Sequence, residues 1–282
     1  MPPLAELVST RTRDDVLLHG AFFEPTMPTT TAALVLHGSW GNFYTVLGRF
    51  LPTALAAAGI ACLSLNTRGH DYGTVADREP SIGMMRERFE DCTHDIAAGL
   101  ALLKKRGYSQ LVILGHSFGA QKAIYSQVFE PDPMVRTLIA CSPGLPMGQV
   151  AKHYVGDSSD GVLAEAKHLV ESGQGERFVV ARHEGPVPVV FTARVFLSLW
   201  GLSDASHDST KYIGQLCTPT LITVCEGDFK AFRQRASVLF DMMEKAEPRD
   251  LVVLPKGEHY YVGAEELLQE AVLAWMDKLG LR

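Results

Sequence analysis

The chain has 282 residues, of which 46% are hydrophobic and 21% charged, a composition typical of a globular protein with one large core. Its formal net charge of −6 argues against nucleic acid or an anionic membrane surface as the main partner. The five cysteines show no C-x-x-C spacing and the N-terminus shows no apolar signal segment, so we predict a cytoplasmic protein without disulfide bonds. No apolar run is long enough to span a membrane.

The first half of the chain alternates short apolar runs with amphipathic segments. Residues 4–10 and 16–25 predict an antiparallel hairpin. Beyond it we predict strands at 32–38, 60–66, 111–115 and 135–143, and helices at 43–59, 85–107 and 120–129. Because these strands are continuous apolar runs, the pattern predicts a parallel sheet covered by helices on both faces.

The second half contains a long interruption of this alternation. Residues 220–225 and 250–254 predict the last two strands, with no element assigned between them, and 265–280 the final helix. Before them, residues 144–218 predict a helix at 162–173, two β-like runs within 176–191 around Gly185–Pro186, and a helix at 193–201. Ligands bind outside the carboxyl ends of strands in open α/β sheets. We therefore predict a core domain of residues 1–143 and 219–282, with residues 144–218 as a cap over that edge.

A lone serine follows one of the central strands. The stretch Gly115-His116-Ser117-Phe118-Gly119 comes directly after LVIL and directly before a helical segment. This G-x-S-x-G pattern between a strand and a helix is typical of a nucleophile elbow, in which a tight turn lifts the serine hydroxyl above the sheet. The alternative is a plain structural turn. We predict that Ser117 is a nucleophile.

A serine hydroxyl is a weak nucleophile and needs a base, which in turn needs a carboxylate to orient it. His259 lies between the last strand and the last helix. We expect this loop at the carboxyl edge of the sheet, on the same side as Ser117. Just past the strand at 220–225 stand Asp228 and, as the fallback, Glu226. The other position where an acid could lie, after the strand at 135–143, holds Ser142, which favours Asp228.

Two backbone N–H groups would have to stabilise the oxyanion. We predict that Phe118 supplies one and that the loop after the strand at 32–38 supplies the other, from Ser39 or, as the second choice, Trp40.

Candidates for substrate contact are Trp40, His116, Phe196 and Trp200. We find no His and carboxylate cluster with metal-ligand spacing, no G-x-G-x-x-G and no Walker loop, so we predict neither a metal nor a nucleotide cofactor.

The sequence resembles the α/β-hydrolase superfamily over nearly its whole length. The matching segments are LVLHGSWGNF, LSLNTRGHD, LVILGHSFGA, PTLITVCEGD and LPKGEHYY. Residues 90–126 also resemble a less studied branch that includes fungal siderophore esterases. The chain departs from the pattern at Cys225, where relatives often have glycine, and residues 144–218 resemble no cap that we can assign.

This resemblance implies an α/β-hydrolase fold, with a mostly parallel eight-stranded sheet, helices on both faces and an inserted cap. It implies a serine hydrolase that cleaves a carboxylic ester, lactone or thioester, with a small ester-like molecule as its partner. A homodimer is left open. The same Ser117, Asp228 and His259 would serve a C–C bond hydrolase or an acyltransferase, and a non-catalytic ligand-binding protein can share the fold.

Overall fold

The structure, a computed structural model, describes residues 4–75, 79–149, 159–181, 189–200 and 206–282. Its strands are β1 (Ala5–Arg11), β2 (Leu17–Phe23), β3 (Thr31–Leu36), β4 (Ala61–Leu65), β5 (Gln110–His116), β6 (Val135–Cys141), β7 (Phe178–Ala181), β8 (Val189–Thr192), β9 (Thr220–Cys225) and β10 (Arg249–Leu254). Eight of them form one sheet in the order β1-β2-β4-β3-β5-β6-β9-β10. β1 and β2 pair antiparallel to their neighbours and the remaining pairs are parallel, as predicted.

Helices cover both faces of this sheet. The helices of the described ranges are α1 (Leu47–Ala57), α2 (Cys92–Lys105), α3 (Phe118–Phe129), α4 (Ser159–Glu171), α5 (Ala193–Trp200), α6 (Lys230–Met242) and α7 (Glu265–Lys278), of which α4 and α5 belong to the segment between β6 and β9. Apolar side chains of α1 and α7 pack on one face, and those of α2, α3 and α6 on the other. The predicted fold class is confirmed. None of the helices in the described ranges is long and apolar enough to cross a membrane.

Two helical predictions need correction. The helix predicted from residue 85 begins only at Cys92, because Arg88 has an extended backbone and Phe89–Asp91 form a single 3-10 turn. Helix α6 was not predicted, although the parallel neighbours β9 and β10 require a crossover connection between them. Its buried residues are few (Arg235, Ala236 and Leu239), so its apolar stripe is narrow.

Residues 144–218 lie between β6 and β9 and carry α4, the antiparallel pair β7–β8 and α5. They enclose a small apolar core of their own, which includes Phe191, Phe196 and Trp200. This core is continuous with Phe89 and Phe118 next to the sheet, so the inserted segment packs at the carboxyl end of the central strands. The turn predicted at Gly185–Pro186 lies outside the described residues. The division into core domain and cap stays a prediction.

Candidate active site

Ser117 lies in a sharp turn between β5 and α3. Its φ of 52° and ψ of −115° are unusual for a residue with a side chain and cost free energy, which the surrounding structure must offset. The Ser117 hydroxyl makes no capping hydrogen bond to α3, although serine often caps a helix in this position. The turn therefore directs the hydroxyl away from the helix and towards the carboxyl edge of the sheet.

The two glycines of the motif are required by close backbone contacts. A Cβ atom on Gly115 would lie 2.3 Å from the carbonyl oxygen of Gly119. A Cβ atom on Gly119 would lie 2.4 Å from the carbonyl oxygen of His37 and 2.8 Å from that of Leu36. These oxygens belong to the main chain and cannot rotate away, so any side chain at either position would force β5, α3 and the loop after β3 apart.

We expect Gly119→Ala to lower the free energy of unfolding by about 1–3 kcal/mol, the usual cost of overpacking a tight contact. The measurement is urea unfolding followed by circular dichroism. Gly161→Ala in α4 is the matched control, because no atom lies within 4 Å of the position that its Cβ would take. That control should be neutral or slightly stabilising. A Gly119→Ala protein as stable as the wild type would contradict the packing described here.

His259 faces Ser117 from the loop between β10 and α7. Its Nε2 atom lies 3.1 Å from the Oγ atom of Ser117, and its side chain is largely buried. Its Nδ1 atom lies 3.2 Å from both carboxylate oxygens of Asp228. Since a carboxylate only accepts hydrogen bonds, Nδ1 carries the proton and Nε2 is left free to accept one from Ser117. The three predicted residues therefore lie together in the order that a serine nucleophile requires, and their catalytic roles stay predictions.

The loop after β9 offers two carboxylates, and the structure brings only one of them to His259. Asp228 is 4% exposed, and its Oδ1 atom also accepts the backbone N–H of Phe229 at 2.7 Å. Glu226, the fallback in the sequence analysis, is exposed to solvent. Ser142, at the alternative position after β6, donates to the phenol oxygen of Tyr261 at 3.1 Å and contributes no charge.

Two buried side chains hold the loop that carries His259. His116 lies next to Ser117 in the chain, and its Nε2 atom donates to the backbone carbonyl of His259 at 2.8 Å. Tyr261 is fully buried with a φ of 60°, and its hydroxyl donates to the carbonyl oxygen of Thr223 at 3.1 Å. The sequence predicts that His116 contacts substrate. In the structure its hydrogen bond orients the loop that carries His259, the candidate base. Tyr261 was not singled out from the sequence, since a tyrosine in a loop carries no distinctive pattern.

The predicted oxyanion donors lie on both sides of Ser117. Phe118 is the first residue of α3, so its backbone N–H has no carbonyl partner within the helix. On the other side, the loop after β3 approaches closely: a Cβ atom on Gly38 would lie 3.2 Å from the Cβ of Ser117. Ser39 and Trp40 follow directly in this loop, and both line the cavity in front of Ser117. The arrangement has the two-sided form that stabilisation of an oxyanion needs.

A cavity opens in front of Ser117 and His259. Of the predicted contact residues, Trp40, His116 and Trp200 line it, whereas Phe196 does not and packs against Phe191 and Trp200 instead. Direct contact between Phe196 and a substrate is therefore a prediction that this geometry does not support. Several lining side chains were missed because their contribution depends on folding: Gln121, Leu145, Met147, Phe229, Phe232 and Tyr260. Apart from the two histidines, the described lining carries no ionisable side chain other than Tyr260.

Three histidines around the site are held in their neutral form by burial. Desolvation lowers the pKa of His37 and of His116 to about 3, and that of His207 to about 4. His207 accepts a hydrogen bond at its Nε2 atom from the backbone N–H of Met147 at 2.9 Å.

Among the described ranges, no group of three or more His, Cys, Asp or Glu side chains could hold a metal ion.

Because these histidines are buried in their neutral form, we expect the free energy of unfolding to fall in mild acid. Each folded-state pKa lies below the value of 6.5 for an exposed histidine, so on acidification the unfolded chain binds protons that the folded chain does not. The stability that these neutral histidines contribute is full above about pH 6.5 and is lost as the pH falls, down to about 3 for His37 and His116 and about 4 for His207. Between pH 7 and pH 5 each should cost about 1–2 kcal/mol of unfolding free energy.

The measurement is urea unfolding at a series of pH values for the wild type and for His207→Gln, whose side chain can still accept from Met147. His207→Gln should lose less stability than the wild type between pH 7 and pH 5. Replacement of the exposed His168 by glutamine serves as the control and should leave the slope unchanged. Parallel pH profiles for all three proteins would contradict the neutral, buried state of His207.

Comparison with known proteins finds one matching family and many structures of the same fold. A sequence model described as the alpha/beta hydrolase family matches residues 16–270. The alpha/beta hydrolase GrgF from Penicillium sp. sh18 is 16% identical, with a TM-score of 0.74 and 98% of each chain covered. Est1E from Butyrivibrio proteoclasticus, solved with ferulic acid bound, is 16% identical, with a TM-score of 0.71 over 98% of this chain and all of that one.

A third structure, the esterase Pf2001 from Pyrococcus furiosus, is also 16% identical, with a TM-score of 0.64 over 98% of this chain and 91% of that one. At such low identity these likenesses show the fold alone. No significant match was found among curated protein sequences.

Proposed function

Because this chain belongs to the alpha/beta hydrolase family, whose sequence model matches residues 16–270, we propose that it is a serine hydrolase that cleaves carboxylic esters, including lactones and thioesters. One observation carries the proposal: the Ser117 hydroxyl lies 3.1 Å from His259 Nε2. Asp228 lies behind the same imidazole, 3.2 Å from Nδ1. A nucleophile, a base and an orienting acid in hydrogen-bond contact are the requirement for acyl transfer to serine.

The proposed reaction has two halves. In the first, Ser117 Oγ attacks the ester carbonyl while His259 Nε2 accepts the hydroxyl proton, and Asp228 stabilises the resulting imidazolium. The negative oxygen of the tetrahedral intermediate accepts hydrogen bonds from the backbone N–H groups of Phe118 and Ser39, with Trp40 as the second choice. As the carbon–oxygen bond to the alcohol breaks, His259 gives the proton to the leaving alkoxide.

In the second half, water attacks the acyl group on Ser117. His259 Nε2 takes a proton from this water, and the same two N–H groups stabilise the second tetrahedral intermediate. Collapse of the intermediate breaks the bond between the acyl carbon and Ser117 Oγ, which recovers its proton from His259. The products are the carboxylic acid and the alcohol, and the protein returns to its starting state.

The lining of the cavity supports a neutral substrate with apolar groups. Trp40, Phe118, Met147 and Trp200 surround the space in front of Ser117 with apolar surface. Burial of a charged group against such a surface would be costly without a partner of opposite charge. Since Leu145, Met147 and Trp200 come from residues 144–218, we further propose that this segment is a cap that covers the bound substrate.

The test is a panel of p-nitrophenyl esters with acyl chains of increasing length, assayed beside β-diketones and with added alcohols as acyl acceptors. We expect release of nitrophenol with saturation kinetics and free acid as the product, and no such release by Ser117→Ala. Cleavage of the diketones alone would favour a C–C bond hydrolase, and transfer to the alcohols in preference to water an acyltransferase. Tight binding of the esters without turnover would favour a ligand-binding protein.

A further inference from the structure

A buried ion pair joins α3, the helix that follows the candidate nucleophile, to the segment before α2. Lys122 extends from α3, the helix that begins after Ser117, and its Nζ atom lies 2.6 Å from Oε1 of Glu87. Both side chains are only 1% exposed. Removing two charges from water is expensive, and an apolar pair of similar volume is often at least as stabilising. The proposed reaction does not use either residue, so their presence needs another explanation.

Lys122 connects this pair to the loop after β4. Its Nζ atom donates to the hydroxyl oxygen of Thr67 at 2.9 Å. The Thr67 hydroxyl lies 3.1 Å from Nε2 of His37, and the backbone N–H of Thr67 donates to the same nitrogen at 3.0 Å. An ammonium group can only donate, so the Thr67 oxygen accepts from Lys122 and its hydrogen is left to point at His37.

His37 carries the arrangement on to the loop in front of Ser117. Because Nε2 accepts from Thr67, the imidazole proton is on Nδ1, which donates to the carbonyl oxygen of Gly38 at 2.8 Å. The same oxygen accepts the backbone N–H of Gly41 at 3.1 Å. The C=O and N–H of a trans peptide point in opposite directions, so fixing the Gly38 carbonyl also fixes the direction of the Ser39 N–H.

We propose that Lys122, held by Glu87, is a positioning residue that acts through Thr67 and His37 to orient the Ser39 N–H towards the oxyanion. The inference rests on the proposed function, in which that N–H is an oxyanion donor. On this proposal, the buried ion pair is a rigid support for a group that must be oriented before the reaction begins. Burial, aided by the nearby charge of Lys122, lowers the pKa of His37 to about 3, so the imidazole keeps this arrangement at neutral pH.

The test compares Lys122→Met/Glu87→Gln with the wild type in the ester assay. The double variant leaves no unpaired buried charge. Loss of one oxyanion donor costs roughly 10²–10³-fold in kcat, so for a misdirected donor we expect a fall of about 10–100-fold with KM changed less than about threefold. Affinity for a trifluoromethyl ketone, which adds to Ser117 and presents an oxyanion, should fall by the same factor as kcat/KM.

Thr67→Val removes the hydroxyl between Lys122 and His37 while keeping the ion pair and the backbone hydrogen bond to His37 Nε2, so it tests the proposal even if the double variant does not fold. It should cause a similar fall in kcat, and combining it with Lys122→Met/Glu87→Gln should cause no further loss. The control is Lys104→Met/Asp132→Asn, which removes the ion pair at the far end of α2 and should leave kcat and KM unchanged.

If the wild type hydrolyses esters while Thr67→Val and the folded double variant keep kcat within twofold, the positioning role is refuted and the proposed function stands. Equal losses in kcat with unchanged affinity for the ketone would also refute it, because they would indicate a role outside the oxyanion hole. If the wild type hydrolyses no ester, the proposed function fails first. The ¹⁵N chemical shifts of His37 then test the arrangement directly: the wild type should carry its proton on Nδ1, and a proton on Nε2 would overturn the inference.

Discussion

Replacing Ser117 by alanine should lower kcat for ester hydrolysis by about 10⁴-fold or more, since the removal of a serine nucleophile abolishes the covalent route and leaves only binding and oxyanion stabilisation. Substrate binding should persist, because the lost hydroxyl is a small part of a cavity that offers mostly apolar surface. The measurements are steady-state kinetics with a p-nitrophenyl ester and calorimetric titration with a non-hydrolysable ketone analogue of that ester, one with no electron-withdrawing group beside its carbonyl.

Ser237→Ala is the control for this experiment, because Ser237 is exposed on α6, away from the lining of the cavity. It should match the wild type in kcat and KM. A Ser117→Ala protein that retained a tenth of the wild-type kcat would show that another group carries the reaction. Loss of both turnover and binding would instead indicate that the change disrupts the elbow.

Replacing Asp228 by asparagine should lower kcat by about 10²–10⁴-fold with little change in stability, since the two side chains have nearly the same shape. The asparagine amide can donate to His259 Nδ1, which would move the imidazole proton to Nε2. In that tautomer His259 cannot accept the proton of Ser117. The measurement is kcat at neutral pH, together with the unfolding midpoint to confirm that the variant is folded.

Glu226→Gln is the matched control for Asp228→Asn, because it makes the same chemical change in the same loop on a carboxylate that is exposed. It should leave kcat within about twofold, as surface substitutions usually have small effects. A larger loss for Glu226→Gln than for Asp228→Asn would reverse the assignment of the acid, and the loop after β9 would then have to adopt another conformation during the reaction.

Much of the sheet could be predicted from the sequence because buried parallel strands are continuous apolar runs with glycine, proline or polar residues at their ends. The strand predicted at 220–225 agrees residue for residue with β9, and that at 111–115 lies within β5. Helix α6 was not predicted because its outer surface is polar and few of its residues are buried. The start of α2 was placed too early because an extended residue, Arg88, carries no distinctive side-chain pattern.

The meeting of Ser117, Asp228 and His259 could be predicted because all three follow strands of one parallel sheet, whose carboxyl ends share an edge. The choice between Asp228 and Glu226 could not be made on that basis, since both follow β9 and only the turn geometry brings one of them to His259. Lys122 and Glu87 could not be paired from the sequence at all. A lysine in a helix usually faces solvent, and burial of this one depends on contacts with loops that are distant in the chain.

We propose that the fold makes the Ser117 hydroxyl a nucleophile, and covalent labelling can detect this without knowledge of the substrate. The protein would be treated with a fluorophosphonate, which forms a stable bond to an activated serine with loss of fluoride, and the labelled peptide identified by mass spectrometry. We expect a single adduct on Ser117, formed more slowly in His259→Gln and absent from Ser117→Ala. An intact, folded protein with no adduct, or with its adduct on another residue, would contradict this proposal.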